Sequence, residues 1–169
     1  RLFWHKEDVF VPFLMIGLAV LLAAVDQILK LLVVQFLKPV GTVALIPGLL
    51  NLTYVENRGA AFGILSNQRW LFIVLTCLLM LVIFFLLFRY QNHTILTFLA
   101  CGLILGGGVG NLIDRIWMGY VIDYISVSFF PPVFNFADCA VVIGTALFVI
   151  HVIFFAERAG VEHVERRRR

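Results

Sequence analysis

Charge is what this sequence has least of. Only 14% of its 169 residues are Asp, Glu, Lys or Arg, where an ordinary soluble domain carries roughly 25%. Three cysteines are present, Cys77, Cys101 and Cys139, each in an apolar run and none in C-x-x-C spacing. They read as small hydrophobes, which excludes a disulfide scaffold and a thiolate metal framework. The four histidines, His5, His93, His151 and His163, are scattered and form no H-E-x-x-H pair, so a zinc-protease helix is missing. His151 reads as a polar residue near one end of the last apolar run. No G-x-S-x-G surrounds Ser66, Ser126 or Ser128, which removes the serine-hydrolase elbow.

Apolar residues fill the space that charge leaves. They make up 62% of the chain, and the mean hydropathy is +1.03. A soluble domain of this length cannot hide so much apolar surface, because about half of any folded surface still meets water. The remaining solvent is lipid. Four runs are each long enough to cross the hydrocarbon as a helix, which takes about 20 residues. The first is uncharged over 9–25 and continues past Asp26 and Lys30; the others hold only Asn111 and His151 as marked polar residues. The runs are continuous rather than alternating, which favours helices over a barrel. The expectation is an all-α membrane protein: one integral membrane domain over 1–169, with spans near 9–33, 70–88, 95–113 and 138–156. The first span is expected to stay uncleaved, since no clear A-x-A site accompanies it and Asp26–Lys30 lies within it.

Four spans put both termini and the 89–94 connection on one side. That side holds Arg1, Lys6, Arg89, Arg158 and Arg166 to Arg169, eight of the thirteen basic residues. Both termini are therefore expected in the cytoplasm. The arginine tail reads as a solvated stop signal, with anionic lipid as the competing reading. An isoelectric point near 9.0 does not imply nucleic acid, because no folded basic domain presents those charges.

The two outer connections, near 38–69 and 114–137, collect the polar residues. Two β-leaning runs flank Pro47-Gly48 and predict a small extracytoplasmic β-hairpin or cradle. Leu50, Leu52 and Tyr54 alternate with Asn51 and Thr53, so one face is free to rest on the membrane surface. Gly119 to Ile125 is a further strand-like run before Pro131-Pro132. Gly102, Gly106 and Gly110 recur every four residues, as close helix packing requires.

Between the first and last spans only Asp26, Glu56, Asp114, Asp123 and Asp138 are acidic. Carboxylates at membrane depth need a partner or a task. Asp26 and Lys30 share a helical face as an ion pair. Asp114 and Arg115 close the third span beside Asn111, where capping and snorkelling compete with substrate binding. Asp138 opens the fourth helix and reads alone as an N-cap. Asp123 lies in an apolar strand with no local partner. Folded together, Asp123 and Asp138 would have the equipment for acid–base hydrolysis, one neutral and one ionised.

These strings resemble those of signal peptidase II, the bacterial lipoprotein signal peptidase family. Asp26-Gln-Ile-Leu-Lys30 is similar to its D-Q-x-x-K, and Asn57-Arg-Gly-Ala-Ala-Phe-Gly63 to its N-x-G-A-A-F-G. Gly107-Gly-Val-Gly-Asn-Leu-Ile-Asp-Arg115 resembles G-G-x-x-G-N-x-x-D-R. Val121-Ile-Asp-Tyr-Ile125 and Phe134-Asn-Phe-Ala-Asp138 resemble V-x-D-F-I and F-N-x-A-D. Two positions stand out: Tyr124 replaces the usual Phe, which bears on local polarity, and Gly108 falls where the family has Ala or Gly. The resemblance implies an aspartic endopeptidase of the bacterial inner membrane that acts near the outer face. Asp123 and Asp138 would be its catalytic pair, and Asn57, Asn111, Arg115 and Asn135 would bind substrate or order the site. Asp26, Lys30 and Asp114 would be structural. Its substrates would be diacylglyceryl-prolipoproteins, cut before the lipid-modified cysteine, with globomycin-like cyclic peptides as inhibitors. Membrane lipid would be the other partner, and no metal, cofactor or nucleic acid is implied. A proton-coupled transporter and a non-enzymatic scaffold are the competing classes. The first lacks a carboxylate path through spans two to four, and the second leaves five polar strings without purpose.

Overall fold

A computed structural model describes residues 6–59, 67–89 and 95–168, with side chains over 13–59, 67–87 and 95–153. Ala60 to Gly63 of the glycine–alanine string, Ser66, His93 and the basic residues of both ends lie outside the described side chains. Helix α1 (Lys6–Leu32) continues into a π-turn (Val33–Leu37). A hairpin follows, β1 (Thr42–Ile46) and β2 (Leu50–Asn57), and then α2 (Arg69–Arg89) and α3 (Ile95–Trp117). Strands β3 (Val121–Val127) and β4 (Phe130–Phe134) lead into α4 (Phe136–Arg168). Four helices are long and apolar enough to cross a membrane, over Phe13–Leu37, Arg69–Leu87, Ile95–Trp117 and Phe136–Ile153.

Helix α3 is the axis of the bundle, with α1 and α4 packed along it and α2 leaning on it. Its glycines make this possible. A Cβ on Gly106 would stand 2.8 Å from the Leu22 side chain and 2.9 Å from the Ala19 carbonyl of α1. One on Gly107 would run into the Ala137 carbonyl of α4, and one on Gly110 would reach 2.5 Å from Asp26 Oδ2. Met15, Ile83, Cys101, Ile104 and Leu105, with Phe148 against them, join all four helices in one core.

The hairpin is present, and it is part of something larger. Its strands join β3 and β4 in an antiparallel sheet of order β1-β2-β3-β4. Pro47 and Gly48, with Gly48 at φ 76°, occupy the centre of a turn closed by Leu49 N–H to Ile46 O at 3.0 Å. Pro131 and Pro132 lie within β4, which is tolerated because β4 is an edge strand.

One face of the sheet does not lie free for lipid. Leu52, Tyr54 and Tyr124 pack with Ile122 against Val33 and Leu37 at the end of α1. Apolar exposure is instead found on β1, at Val43, Leu45 and Ile46. Tyr124 thus belongs to the sheet's packing against α1. Its neighbour Asp123, one residue away on a pleated strand, points to the opposite face.

Candidate active site

Two strand positions and two helix ends converge beneath the sheet. Val55 pairs with Asp123 and Asn57 with Val121, so Asn57 and Asp123 share a face. Asn57 Nδ2 donates to Asp123 Oδ2 at 2.8 Å, and the Asn57 carbonyl oxygen Oδ1 is held by Gly59 N–H at 2.9 Å. Helix α3 contributes Asn111, Asp114 and Arg115 from its last turns, ended by Gly119 in the left-handed region at φ 83°. Helix α4 contributes Asp138 from its first turn.

Asp138 is not the N-cap that its position suggested. Asn135 holds that place: its Oδ1 accepts from Asp138 N–H at 2.9 Å, while Asp138 Oδ2 accepts from Asn135 N–H at 3.1 Å. This is a reciprocal capping box with Asn at the cap and Asp three residues on. One oxygen of Asp138 is thereby occupied in helix capping. The other, Oδ1, takes a 2.7 Å bond from Asn111 Nδ2.

Asn135 also joins the two acids. Its Nδ2 donates to Asp123 Oδ1 at 2.6 Å and to Asn111 Oδ1 at 3.1 Å. Asp123 is only 2% exposed. Burial pushes its pKa up to about 7, with the Asp138 charge adding to the rise and the bonds from Asn57 and Asn135 opposing it.

Asp26, Lys30 and Asp114 form a second, fully buried layer behind these groups. Lys30 Nζ lies 2.7 Å from Asp26 Oδ2 and 2.8 Å from Asp114 Oδ2. Each acid of this layer also grips the backbone beside one acid of the site. Asp114 Oδ2 accepts from Ile122 N–H at 3.1 Å, next to Asp123. Asp26 Oδ1 accepts from Ala137 N–H at 3.1 Å, next to Asp138. Asp114 therefore neither caps nor snorkels; it is sealed inside, tying α3 to β3. Arg115 lies with its guanidinium 5.1 Å from the Phe72 ring centre and lines a cavity of about 230 Å³. Asn111, Arg115 and Asp138 form the polar end of that cavity, and Leu79, Ile104 and Val141 are part of its apolar wall.

Residues 18–154 match the family model described as Signal peptidase (SPase) II. This chain belongs to the signal peptidase II family. A lipoprotein signal peptidase of Halothermothrix orenii is 47% identical over 128 residues, covering 75% of this chain and 86% of that protein. Another, of Clostridioides difficile, is 41% identical over 149 residues, covering 86% of this chain and 99% of its own length. A solved bacterial membrane enzyme superposes with a TM-score of 0.75 at 31% identity, covering 82% of this chain and 87% of that one. As a signal peptidase II the chain is a peptidase, and its four apolar helices make it a bacterial membrane protein.

Two polar residues of this signal peptidase II escape a reading by composition. Gln27 Nε2 donates to Asp114 Oδ1 at 2.9 Å and to Gly110 O at 3.1 Å, closing the buried layer. Arg69 Nη2 donates to Ile116 O at 2.8 Å and caps the end of α3. The spacing of Asn135 and Asp138 did carry a signal, that of a capping box. Gln27 was visible only as a letter of the D-Q-x-x-K string with no role attached, and Arg69 carries no signal without the fold.

Proposed function

We propose that this signal peptidase II removes the signal peptide from diacylglyceryl-prolipoproteins by aspartic hydrolysis, cutting just before the lipid-modified cysteine. Asp123 and Asp138 are the catalytic pair. The single observation that carries the reading is Asn135, which donates to both carboxylates, through Nδ2 to Asp123 and through its backbone N–H to Asp138. Two acids tied to one residue share a neighbourhood in which they do not both ionise easily, so one proton is held between them.

The chemistry follows from that state. The ionised carboxylate takes a proton from a water lodged between the pair, and the resulting oxygen attacks the scissile carbonyl carbon. The protonated carboxyl gives its proton to the carbonyl oxygen. The roles then reverse as the intermediate collapses and the leaving amine is protonated. Asn57, Asn111 and Asn135 keep their carboxylate partners in place, while Arg115, which lines the cavity, stands where it can hold the substrate backbone. The apolar wall of the cavity suits the side chains of a signal helix entering between α2 and α4. Globomycin-like cyclic peptides are expected to occupy the same cavity. The bacterial inner membrane is the proposed location, with both termini in the cytoplasm and the sheet at the outer face, as the basic-residue count supports.

A cleavage assay in detergent with paired precursors tests the reading. The lipidated precursor should be cut before its modified cysteine and the non-lipidated one left intact. Equal cleavage of both would remove the lipid requirement, and no cleavage of either would remove the activity.

A further inference from the structure

Every donor of the Lys30 ammonium is committed, and the third one leads out of the buried layer. Two hydrogens serve Asp26 and Asp114, and the third goes to Asn111 Oδ1 at 3.0 Å. Asn111 Oδ1 also accepts from Asn135 Nδ2 at 3.1 Å, so both of its lone pairs face donors. With the oxygen pinned, the amide group has one remaining direction, and Asn111 Nδ2 faces Asp138 Oδ1 at 2.7 Å. An asparagine amide is nearly symmetric in shape and turns over by rotation about its last bond. A turned Asn111 would aim its oxygen at the Asp138 carboxylate and its NH2 at two donors.

We propose that Lys30 is a positioning residue for hydrolysis, acting through Asn111: its ammonium fixes the side-chain amide so that the NH2 is presented to Asp138. This rests on the reading of Asp123 and Asp138 as the catalytic pair. Neutralising Asp26 and Asp114 accounts for two of the three hydrogens of Lys30. Orientation of Asn111 accounts for the third.

Removing Lys30 alone strands two buried carboxylates and endangers the fold. The test therefore compares Asp26→Asn with the double variant Asp26→Asn/Lys30→Met. The double variant loses one acid and one base together, so the Asp26–Lys30–Asp114 group keeps its net charge of minus one. Asp114 retains its bonds from Ile122 N–H and Gln27 Nε2. The charges around Asp138 are then Asp123 on β3 and Arg115 and Asp114 on α3, as in the native chain, with Asp26 and Lys30 on α1 exchanged for neutral groups. Melting temperature, kcat and KM for a lipidated precursor are measured in detergent.

With a defined melting transition, the double variant should lose about 100-fold in kcat relative to Asp26→Asn, the order expected for a misplaced reacting group. Its KM should stay within about threefold, since substrate contacts are intact. Asp26→Asn/Lys30→Gln returns an N–H donor without the charge and should recover about tenfold of the loss. A double variant turning over within about threefold of Asp26→Asn overturns the inference. So does one without a melting transition, which would assign Lys30 to folding. Failure of the underlying reading looks different: Asp123→Asn, with Lys30 in place, would still cleave.

Discussion

At Asp123 opposing forces act on one carboxyl group. Burial and the Asp138 charge favour the neutral form, while amide donors from Asn57 and Asn135 favour the ionised one. The first two win, and the group releases its proton near pH 7 instead of at its ordinary value of 3.8. On the proposed mechanism hydrolysis needs one proton on the pair, so kcat should fall as pH rises above about 7, and that descending limb belongs to the pair rather than to one residue. The same shift has a consequence for stability. The folded state holds the Asp123 proton more tightly than the unfolded chain, so this contribution is complete below pH 3.8 and is lost as pH rises to about 7. Melting temperature in detergent should decline over that window, and Asp123→Asn should flatten the decline. In activity, Asp123→Asn and Asp138→Asn should each cost about 10³-fold or more, the upper range for a lost acid–base group. The double variant should be no worse than either single one. Substantial cleavage by Asp138→Asn would leave that residue its capping role alone.

The elements that carry these residues are set by small side chains at crossing points. Gly107 admits the Ala137 carbonyl at the start of α4, one residue from Asp138. Gly107→Val should therefore lose about 1–3 kcal/mol, the usual cost of overpacking, and should lose turnover with it. Gly17 of α1 has nothing within 4 Å of an added Cβ, so Gly17→Ala should match the native melting temperature or exceed it. Equal melting of the two variants would deny the α3–α4 contact its role in holding the site. Much of this layer was readable from the chain. Continuous apolar runs gave the helices, four-residue glycine spacing gave the close packing of α3, and Pro47-Gly48 gave the hairpin turn. The four-stranded sheet was less accessible, because antiparallel pairing of β2 with β3 joins segments about 70 residues apart, and no local pattern encodes such a partner. At the site, the acids stood out by their rarity in an apolar chain. Their asparagine partners, Asn57, Asn111 and Asn135, stood out only through the family resemblance, because an asparagine's value depends on which way its amide faces, and at Asn111 the oxygen faces donors of Lys30 and Asn135 from other elements.

The proposed orientation of the whole molecule rests on where its helix ends and its basic residues fall. The ends of α1 and α3 and the starts of α2 and α4 all meet the sheet side, so the connection over 89–94 belongs to the opposite side. Eight of thirteen basic residues fall with that connection and the termini, and such residues resist translocation. Trp70 and Trp117, both strongly exposed, flank the sheet end of α2 and α3, where a belt at the outer interface would place them. On the proposed orientation Ser128, exposed in the β3–β4 turn, would be open to the outside, and position 91, in the connection on the opposite side, would be closed off by the bilayer. A cysteine at Ser128 should react in intact cells with a thiol reagent that does not cross membranes, and one at Gln91 should react only after the membrane is opened. The native Cys77, Cys101 and Cys139 lie within spans, and replacing them by Ala first removes their background. Labelling of Gln91→Cys in intact cells with Ser128→Cys silent would invert the protein and put the Asp123–Asp138 pair on the cytoplasmic side. In that orientation the pair would meet precursors before their signal helices had crossed, and processing of an exported lipoprotein at this site would lose its geometric basis.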